Sequence, residues 1–310
     1  MARYILRRFL ISIPVLVGVA LILFLLLNVV PGDPVTLMMG EHIKPALIEA
    51  FRARMHLDDP VLVRFGRYML GALRGDFGVS YKLQREVSGL IWQAFPHTVK
   101  LTIYSAFVSW IIGIPAGIFS AVKHNTLIDR SLMGFSLMGV SLPIFWAGLL
   151  MQYVFASRLG WLPVTGYYSI KYYIMPSVVL GWSSAGTVAR LTRSNLLEIM
   201  KNDFIRTARA KGLSEPSVVA CHALKNAMLP VITVMALQVA GLLGGAVMTE
   251  SVFGIPGIGR IAVDAITHRD MPLLQGTILF TTAIVIAGNL AADIMYAFLD
   301  PRIRVEQANS

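Results

Sequence analysis

Eight polar side chains interrupt otherwise apolar runs of this sequence, and they are its first candidates for chemistry. They are Gln152, Ser183, Ser184, Thr187, Gln238, Glu250, Asn289 and Asp293. A polar group in hydrocarbon is costly unless it meets water or another polar group. We therefore take these residues as candidates for the lining of a polar pathway. For Glu250 and Asp293, near the ends of their runs, the alternative is solvation at the interface or pairing with an arginine.

Patterns typical of catalysis or metal binding are not found in the sequence. It contains neither H-E-x-x-H nor G-x-S-x-G, and its 6 histidines are scattered. It also lacks the phosphate loop G-x-x-x-x-G-K-S/T, so we do not expect this chain to bind ATP. Cys221 is the only cysteine, which excludes an intrachain disulfide and a cysteine-based metal cluster. We therefore expect no catalytic residue, no metal and no cofactor held by this chain.

The composition is that of a membrane protein. Of the 310 residues, 56% are hydrophobic and 14% are charged, and the mean hydropathy is +0.67. A soluble domain carries roughly a quarter charged residues, so lipid must cover part of this surface. The net charge of +10 could suggest nucleic acid. Because the basic residues lie between apolar runs and form no continuous face, attraction to anionic lipid and positive-inside topology explain them better.

The apolar runs predict an all-α polytopic protein with about six transmembrane helices. A span needs about 20 residues, and we place spans at 9–30, 99–122, 131–155, 172–189, 231–253 and 276–299. The fourth run has a polar, small-residue middle at 181–187, so we expect it to be buried among other helices beside water. Pro115 and Pro143 should kink their helices. The pairs Gly113-x-x-x-Gly117 and Gly241-x-x-x-Gly245 predict close helix packing.

Lys and Arg concentrate in the loops that an N-in topology leaves inside, which predicts that both termini are cytoplasmic. We divide the chain into residues 1–30, a tail and first span; 31–97, an outer segment; 98–300, a five-helix core; and 301–310, a cytoplasmic tail. The core includes a cytoplasmic loop at 198–230. In the outer segment, 61–73 has the spacing of a short amphipathic helix, which could lie on the membrane or form a docking surface.

The cytoplasmic loop contains a predicted helix of barely two turns. It consists of Asp203, Phe204, Ile205, Arg206, Thr207, Ala208, Arg209, Ala210, Lys211 and Gly212. Asp203 is the candidate N-cap, and Gly212 stands where a helix end needs left-handed backbone. Phe204, Ile205 and Ala208 are available for burial, while Arg206, Arg209 and Lys211 can pair with acidic groups.

A helix this short is not stable alone in water, so it needs a partner surface. We expect a second N-cap at Ser214, with Pro216 in the first turn and a connector helix running to Asn226. This arrangement suits transmission of force from a cytoplasmic partner. A surface helix lying on anionic lipid is the alternative.

The same loop resembles the EAA loop of binding-protein-dependent ABC importer permeases. The resemblance lies in Arg206-Thr207-Ala208-x-x-x-Gly212 and the following segment 222–230, and it is narrowest to the first permease subunit of the dipeptide/oligopeptide/nickel family. Matching segments at 4–8, 31–34, 75–78, 254–260 and 300–304 extend it over nearly the whole chain. One departure is Arg206, where the general pattern has Glu; it weakens the transfer of any specific salt bridge from other branches.

The resemblance implies a type I importer permease fold and a defined set of partners. This chain would pair with a second, homologous permease and with one or two ABC ATPase subunits that hold ATP and Mg. An extracytoplasmic solute-binding protein would deliver the solute, and the complex would lie in the bacterial inner membrane. Residues 203–212 would be the coupling helix.

Two questions stay open at this stage. The solute could be a di- or tripeptide, a glutathione-like peptide, a nickel chelate or an opine-like conjugate, with the loop most similar to peptide transporters. An ion-coupled secondary transporter would favour internal repeats and paired intramembrane charges, and we find neither convincingly.

Overall fold

The computed structural model describes residues 2–29 and 59–299, which are helical almost throughout. Within those ranges there is no strand, only an isolated bridge between Val79 and Glu86. Most of the first half of the outer segment, including 31–34, and the tail at 301–310 lie outside the described residues. The described helices, numbered in chain order, are α1 Ala2–Val29, α2 Val61–Leu73, α3 Val87–Val122, α4 Leu127–Ser141, α5 Ile144–Met151, α6 Lys171–Ile199, α7 Asp203–Ala210, α8 Glu215–Ser217, α9 Leu224–Leu243, α10 Val247–Phe253, α11 Ile258–Thr267 and α12 Met271–Leu299. Two π-helical segments complete them, π1 Gln152–Arg158 and π2 Val218–Ala223.

Four helical stretches are long and apolar enough to cross a membrane, which confirms the all-α polytopic class. They are Leu6–Leu26, Val87–Val122, Glu215–Leu243 and Met271–Met295. The bent pair Leu127–Ser141 and Ile144–Arg158 raises the number to 5 if it counts as one span. Helix α6 is the remaining predicted span; it has 29 residues but a polar, small-residue middle. Its Gly181, Ala185 and Gly186 are buried, as the sequence predicted.

Two predicted spans are not continuous helices. The run at 131–155 bends by 103° between α4 and α5, where Pro143 begins the new helix without an N–H to donate. The run at 231–253 stops at Leu243, and Gly245 follows with φ +102 before α10 begins. Glycine adopts this backbone conformation without strain, whereas a residue with a Cβ does not. The helix therefore ends here and the chain changes direction.

The bundle packs most closely around α6. A Cβ built on Gly113 of α3 would lie 2.8 Å from the carbonyl oxygen of Ala185, and one on Gly117 would lie 2.6 Å from that of Ala189. The prediction of close packing at this pair is confirmed. At the second pair the prediction was wrong for Gly241, because no atom of the described residues lies within 4 Å of a Cβ built there. A Cβ on Gly245, in contrast, would lie 3.1 Å from the backbone nitrogen of Gly259.

Helix α1 packs against α12 of the core, and α2 lies beside α1. The ring of Phe24 lies 5.5 Å from that of Phe65 and 6.3 Å from that of Tyr68, so the predicted amphipathic helix α2 turns aromatic residues towards α1. Arg8 forms a 3.0 Å ion pair with Asp293 of α12. The bundle thus has two ends: an α7 end, with the last turns of α3 and α6 and the start of α9, and an α11 end, with the starts of α3 and α12.

Candidate functional site at the α7 end

Helix α7 falls where the sequence predicted a two-turn helix. It spans Asp203–Ala210, and Asn202 occupies the N-cap with extended backbone and no side-chain capping hydrogen bond. The prediction of Asp203 as the N-cap was therefore wrong by one residue; its carboxylate lies in the first turn, where it favours the helix dipole. Gly212 follows the helix with φ +81, as predicted for the residue that ends it.

The apolar face of α7 is buried against membrane-spanning helices of its own chain. Ile205 is 0% exposed and Ala208 is 6% exposed. Their cluster also contains Ala121 of α3, Leu196 of α6 and, from π2 and α9, Val218, Val219, Ala223 and Ala227. Full burial of a side chain such as Ile205 contributes about 1.5–3 kcal/mol. The partner surface that such a short helix requires is thus supplied in part by its own chain.

The opposite face of α7 is open. Phe204, expected among the buried residues, is 44% exposed in this chain. Arg206 is exposed, and within the described part of the chain it forms one ion pair, with Asp203 at 3.5 Å. The other exposed residues of this face are Thr207, Ala210 and Lys211. An aromatic ring beside basic groups is thereby left facing away from the bundle.

Arg209 has a partner within the chain. Its Nη2 donates to Oε1 of Glu215 at 2.6 Å and its Nε donates to Oε2 at 3.0 Å. Both side chains are partly exposed, so this pair contributes little to stability. It ties the end of α7 to the start of the next helix.

Folded connectors join α7 to the spans on both sides. The turn after α6 closes with a hydrogen bond from the Met200 N–H to the Leu196 carbonyl, at 2.9 Å. Ser214 caps α8 by position, without a side-chain hydrogen bond, and Pro216 lies in its first turn as predicted. The connector does not stop at Asn226: helical structure runs on from Glu215 to Leu243.

Part of the predicted pathway set lies together between α6 and α9. The amide Nε2 of Gln238 donates to the carbonyl oxygen of Ser184 at 3.3 Å. Ser183, Ser184 and Thr187 are partly exposed on α6, and Oε1 of Gln238 is buried without a hydrogen-bond partner among the residues that the structure describes. We call these four residues the polar strip: Ser183, Ser184 and Thr187 are neighbours on α6, and Gln238 contacts the Ser184 backbone.

The other members of the predicted set are dispersed. Gln152 links two backbone segments, since its Nε2 donates to the carbonyl oxygens of Val164 and Val252, each at 3.0 Å. Asn289 is exposed on α12. Asp293 pairs with Arg8, so the arginine alternative was right for this residue.

Glu250 is neither exposed nor paired with an arginine side chain, and both of these expectations were wrong. It is 0% exposed. Its Oε1 accepts from the Thr98 hydroxyl at 2.7 Å, and its Oε2 accepts from the Arg260 backbone N–H at 3.0 Å. A Cβ on Gly257 would collide with the carboxyl group. We call Thr98, Glu250 and the 257–260 backbone the Glu250 clasp.

The clasp explains part of the glycine-rich 254–260 motif. The loop must approach the carboxyl closely enough for its backbone to donate, and Gly257 leaves room for that approach.

A second buried carboxylate, at the α7 end, was missed. Asp129 of α4 is 4% exposed and accepts two hydrogen bonds from Arg193 of α6, from Nε at 2.9 Å and Nη2 at 2.8 Å. The Ser120 hydroxyl of α3 also donates to it. We call these three residues the Asp129 clasp. Thr126, three residues earlier, signals a helix start that includes Asp129, but no local pattern indicates a partner 64 positions away.

The second missed group joins the outer segment to α12. Asp270, 2% exposed, accepts hydrogen bonds from the Ser80 hydroxyl and from the backbone N–H of Tyr81 at 3.1 Å and of Lys82 at 3.2 Å. The hairpin-like turn at 79–86 is therefore fixed to the α11 end of the core.

Two models of protein families match nearly the whole sequence. One describes the N-terminal part of a binding-protein-dependent transport system membrane component and matches residues 1–102. The other describes the inner membrane component of such a system and matches residues 113–305. Together they include the Glu250 clasp, the Asp129 clasp and α7.

Individual proteins are also similar to this chain. The dipeptide transport system permease protein DppB of Alkalihalophilus pseudofirmus is 40% identical over 98% of this chain and 100% of its own length. The glutathione transport system permease protein GsiC of Escherichia coli (strain K12) is 42% identical over 98% of this chain and 99% of its own. An inward-facing structure of the MetNI methionine ABC transporter superposes with a TM-score of 0.59 at 19% identity, covering 68% of this chain and 96% of that one. That likeness shows the fold. The chain belongs to the family of binding-protein-dependent transport system inner membrane components.

Proposed function

We propose that this chain is one of two permease subunits that form the pathway of an ATP-driven importer of short peptides in the bacterial inner membrane. The observation that carries the proposal is the two-sided character of α7. One face, Ile205 and Ala208, is fixed in the spans, and the other presents Phe204 and Arg206 outwards. A helix held in this way can pass a displacement from an external partner to the membrane helices.

In this proposal the partner at α7 is an ABC ATPase. The exposed aromatic ring of Phe204 would enter an apolar pocket, and Arg206 and Lys211 would meet acidic side chains around it. ATP acts only if it binds one arrangement of the ATPase pair better than the other, since differential affinity alone shifts a conformational equilibrium. ATP and Mg would therefore reside on the ATPase chains, while this chain converts their movement.

We infer the orientation of the chain in the membrane from the basic residues near α7. A cytoplasmic position of the α7 end is supported by the positive-inside tendency, since the segments around α7 carry Arg190, Arg193, Lys201, Arg206, Arg209, Lys211 and Lys225. The α11 end, with α2 and the turn fixed by Asp270, would then face a solute-binding protein outside. A second permease would close the pathway along the polar strip of Ser183, Ser184, Thr187 and Gln238.

The class of solute is inferred from the relatives. Two relatives that match over nearly their whole length are named for the transport of a dipeptide and of glutathione, and both solutes are short peptides. Selectivity would reside largely in the external binding protein, because the polar strip offers amide and hydroxyl groups without a charged side chain.

The test is reconstitution of the complete complex in lipid vesicles with its binding protein. We expect uptake of a labelled dipeptide or of glutathione to require ATP, and a Phe204→Cys variant to crosslink to a cysteine on the ATPase. The control is Leu127→Cys, an exposed residue of α4 outside α7, which should not crosslink. Uptake driven by an ion gradient without ATP, or no crosslink from α7, would contradict the proposal.

A further inference from the structure

The Asp129 clasp connects three helices beside the seat of α7, by which we mean the apolar cluster that contains Ile205 and Ala208. Ser120 lies in the last turn of α3, Asp129 in the first turn of α4 and Arg193 in the second half of α6. The carboxylate of Asp129 receives four hydrogen bonds: two from Arg193, one from the Ser120 hydroxyl, and one from the Asn125 N–H at 2.9 Å. Its acceptor capacity is thus used in a single geometry.

The clasp adjoins the apolar cluster that holds α7. Ala121, the neighbour of Ser120, and Leu196, about one turn after Arg193, both belong to that cluster with Ile205 and Ala208. Helix α4 contributes no residue to the cluster. At this end α4 is attached to α6 through the two hydrogen bonds from Arg193 to Asp129. Farther from α7 the two helices pack closely, and Nε1 of Trp182 donates to the carbonyl oxygen of Phe135 at 3.0 Å.

The two kinds of attachment differ in how they transmit movement. Apolar contacts are non-directional, so packed helices can slide or rotate slightly against each other. A bidentate arginine–carboxylate pair fixes both distance and orientation through two parallel hydrogen bonds. A buried ion pair is weak evidence for stability, because desolvation offsets much of the attraction, and geometric specificity is its better-attested role.

We propose that Asp129 and Arg193 are positioning residues that make α4 follow α6 when α7 is displaced. The bent continuation of α4, helix α5 with π1, would then change its angle in step with α7. This inference rests on the proposed function of α7. Without the clasp, α7 would still dock and the ATPase would still cycle, but the α4–α5 arm of the pathway would follow incompletely.

The experiment measures peptide transported per ATP hydrolysed in the reconstituted complex. Asp129→Asn keeps the shape but removes the charge, and Arg193→Lys keeps the charge but removes the planar fork. For both, we expect the transport-to-hydrolysis ratio to fall about fivefold or more, the lower end of usual coupling effects. The ATPase rate stimulated by loaded binding protein should stay within about twofold of the native value, which is below that coupling range. Arg130→Gln, an exposed neighbour, is the matched control and should leave the ratio unchanged.

A distance measurement separates transmission from simple damage. Spin labels at Leu127→Cys and Ser194→Cys, both exposed, would be placed in a Cys221→Ser background. We expect one narrow distance distribution with and without ATP in the otherwise native chain, and a broader, nucleotide-dependent one with Asp129→Asn. If Asp129→Asn fails to assemble, the ratio of transport to hydrolysis in two other variants decides the question. These variants are Arg193→Lys and Ser120→Ala, of which the second leaves the ion pair in place.

The outcomes distinguish this inference from the function beneath it. If α7 crosslinks to the ATPase and yet both clasp variants keep the native ratio, the clasp proposal is wrong. Proportional loss of hydrolysis and transport at normal assembly, or an unchanged spin-label distribution, would also overturn it, because either result indicates a purely structural pair. If α7 does not crosslink at all, the proposed function fails first.

Discussion

The two ends of the bundle are fixed by different kinds of interaction. At the α7 end, α7 is attached by an apolar face and the neighbouring helices by a side-chain ion pair. At the α11 end, Glu250 is held by the Thr98 hydroxyl and by backbone N–H groups of a glycine-rich loop. Backbone donors cannot move without moving the loop itself, whereas an apolar seat permits tilting. The comparison suggests that the α7 end rocks while the α10–α11 turn stays rigid.

The largest effect is expected from emptying the seat of α7. Ile205→Ala should cost about 4 kcal/mol, since it removes buried methyl groups and leaves a cavity. Hydrogen–deuterium exchange over residues 203–212 should then rise strongly, and ATP-dependent uptake should be lost. Phe204→Ala is the matched control: it should leave exchange unchanged while weakening ATPase docking. If the two variants show equal hydrogen–deuterium exchange over residues 203–212, the distinction between the buried and the exposed face of α7 is wrong.

A change at Glu250 tests the rigid end. Glu250→Ala should destabilise the permease by about 3 kcal/mol, because buried donors lose their acceptor, and less assembled complex should be recovered. Glu250→Gln retains one carbonyl acceptor and should lose less. If Glu250→Gln instead assembles normally but abolishes uptake, Glu250 acts in the pathway after all, and the contrast between the ends is wrong.

A substitution at Gly212 tests the helix C-terminus that the sequence predicted. Gly212→Val places a β-branched residue at φ +81, at a cost of about 1–3 kcal/mol in backbone strain. No described residue has an atom within 4 Å of a Cβ built there, so the effect isolates backbone conformation from crowding. We expect uptake to fall relative to ATP hydrolysis, and Gly212→Asn, which tolerates left-handed backbone better, to keep most of it. Native coupling in Gly212→Val would contradict the proposed role of this turn.

The smallest effect is expected at Arg209. Its pair with Glu215 is partly exposed, so Arg209→Gln should change stability by less than about 1 kcal/mol. Thermal unfolding of the purified complex at low and high salt measures this directly. A large loss in stability would mean that Arg209 meets a further partner in the assembly.

Prediction from sequence succeeded where the signal lies within a few residues. The place of α7, to within one residue at its start, the left-handed Gly212 and Pro216 in the turn after Ser214 all depend on local backbone preference. The amphipathic helix α2 follows from spacing alone. The close packing at Gly113 and Gly117 was also indicated by spacing, but the same pattern at Gly241 gave a wrong result, because small residues permit close approach without specifying a neighbour.

The candidate site was predicted only in part. The sequence placed Ile205, Ala208 and Phe204 on one short helix, but it could not divide them between the seat and the open face. Glu250 was placed near the end of a span, where exposure is common, yet it is fully buried. That difference arises because Gly245 breaks the span and turns α10 into the core.

The sequence by itself determined that this is a helical membrane protein and where its short connecting helix begins and ends, because hydropathy and capping act between near neighbours. Only the tertiary structure decided which polar groups meet. Asp129 and Arg193 are 64 positions apart, and Glu250 and Thr98 are 152 apart. Such pairs form because packing brings helices together at particular heights and rotations, and no short stretch of sequence contains that information.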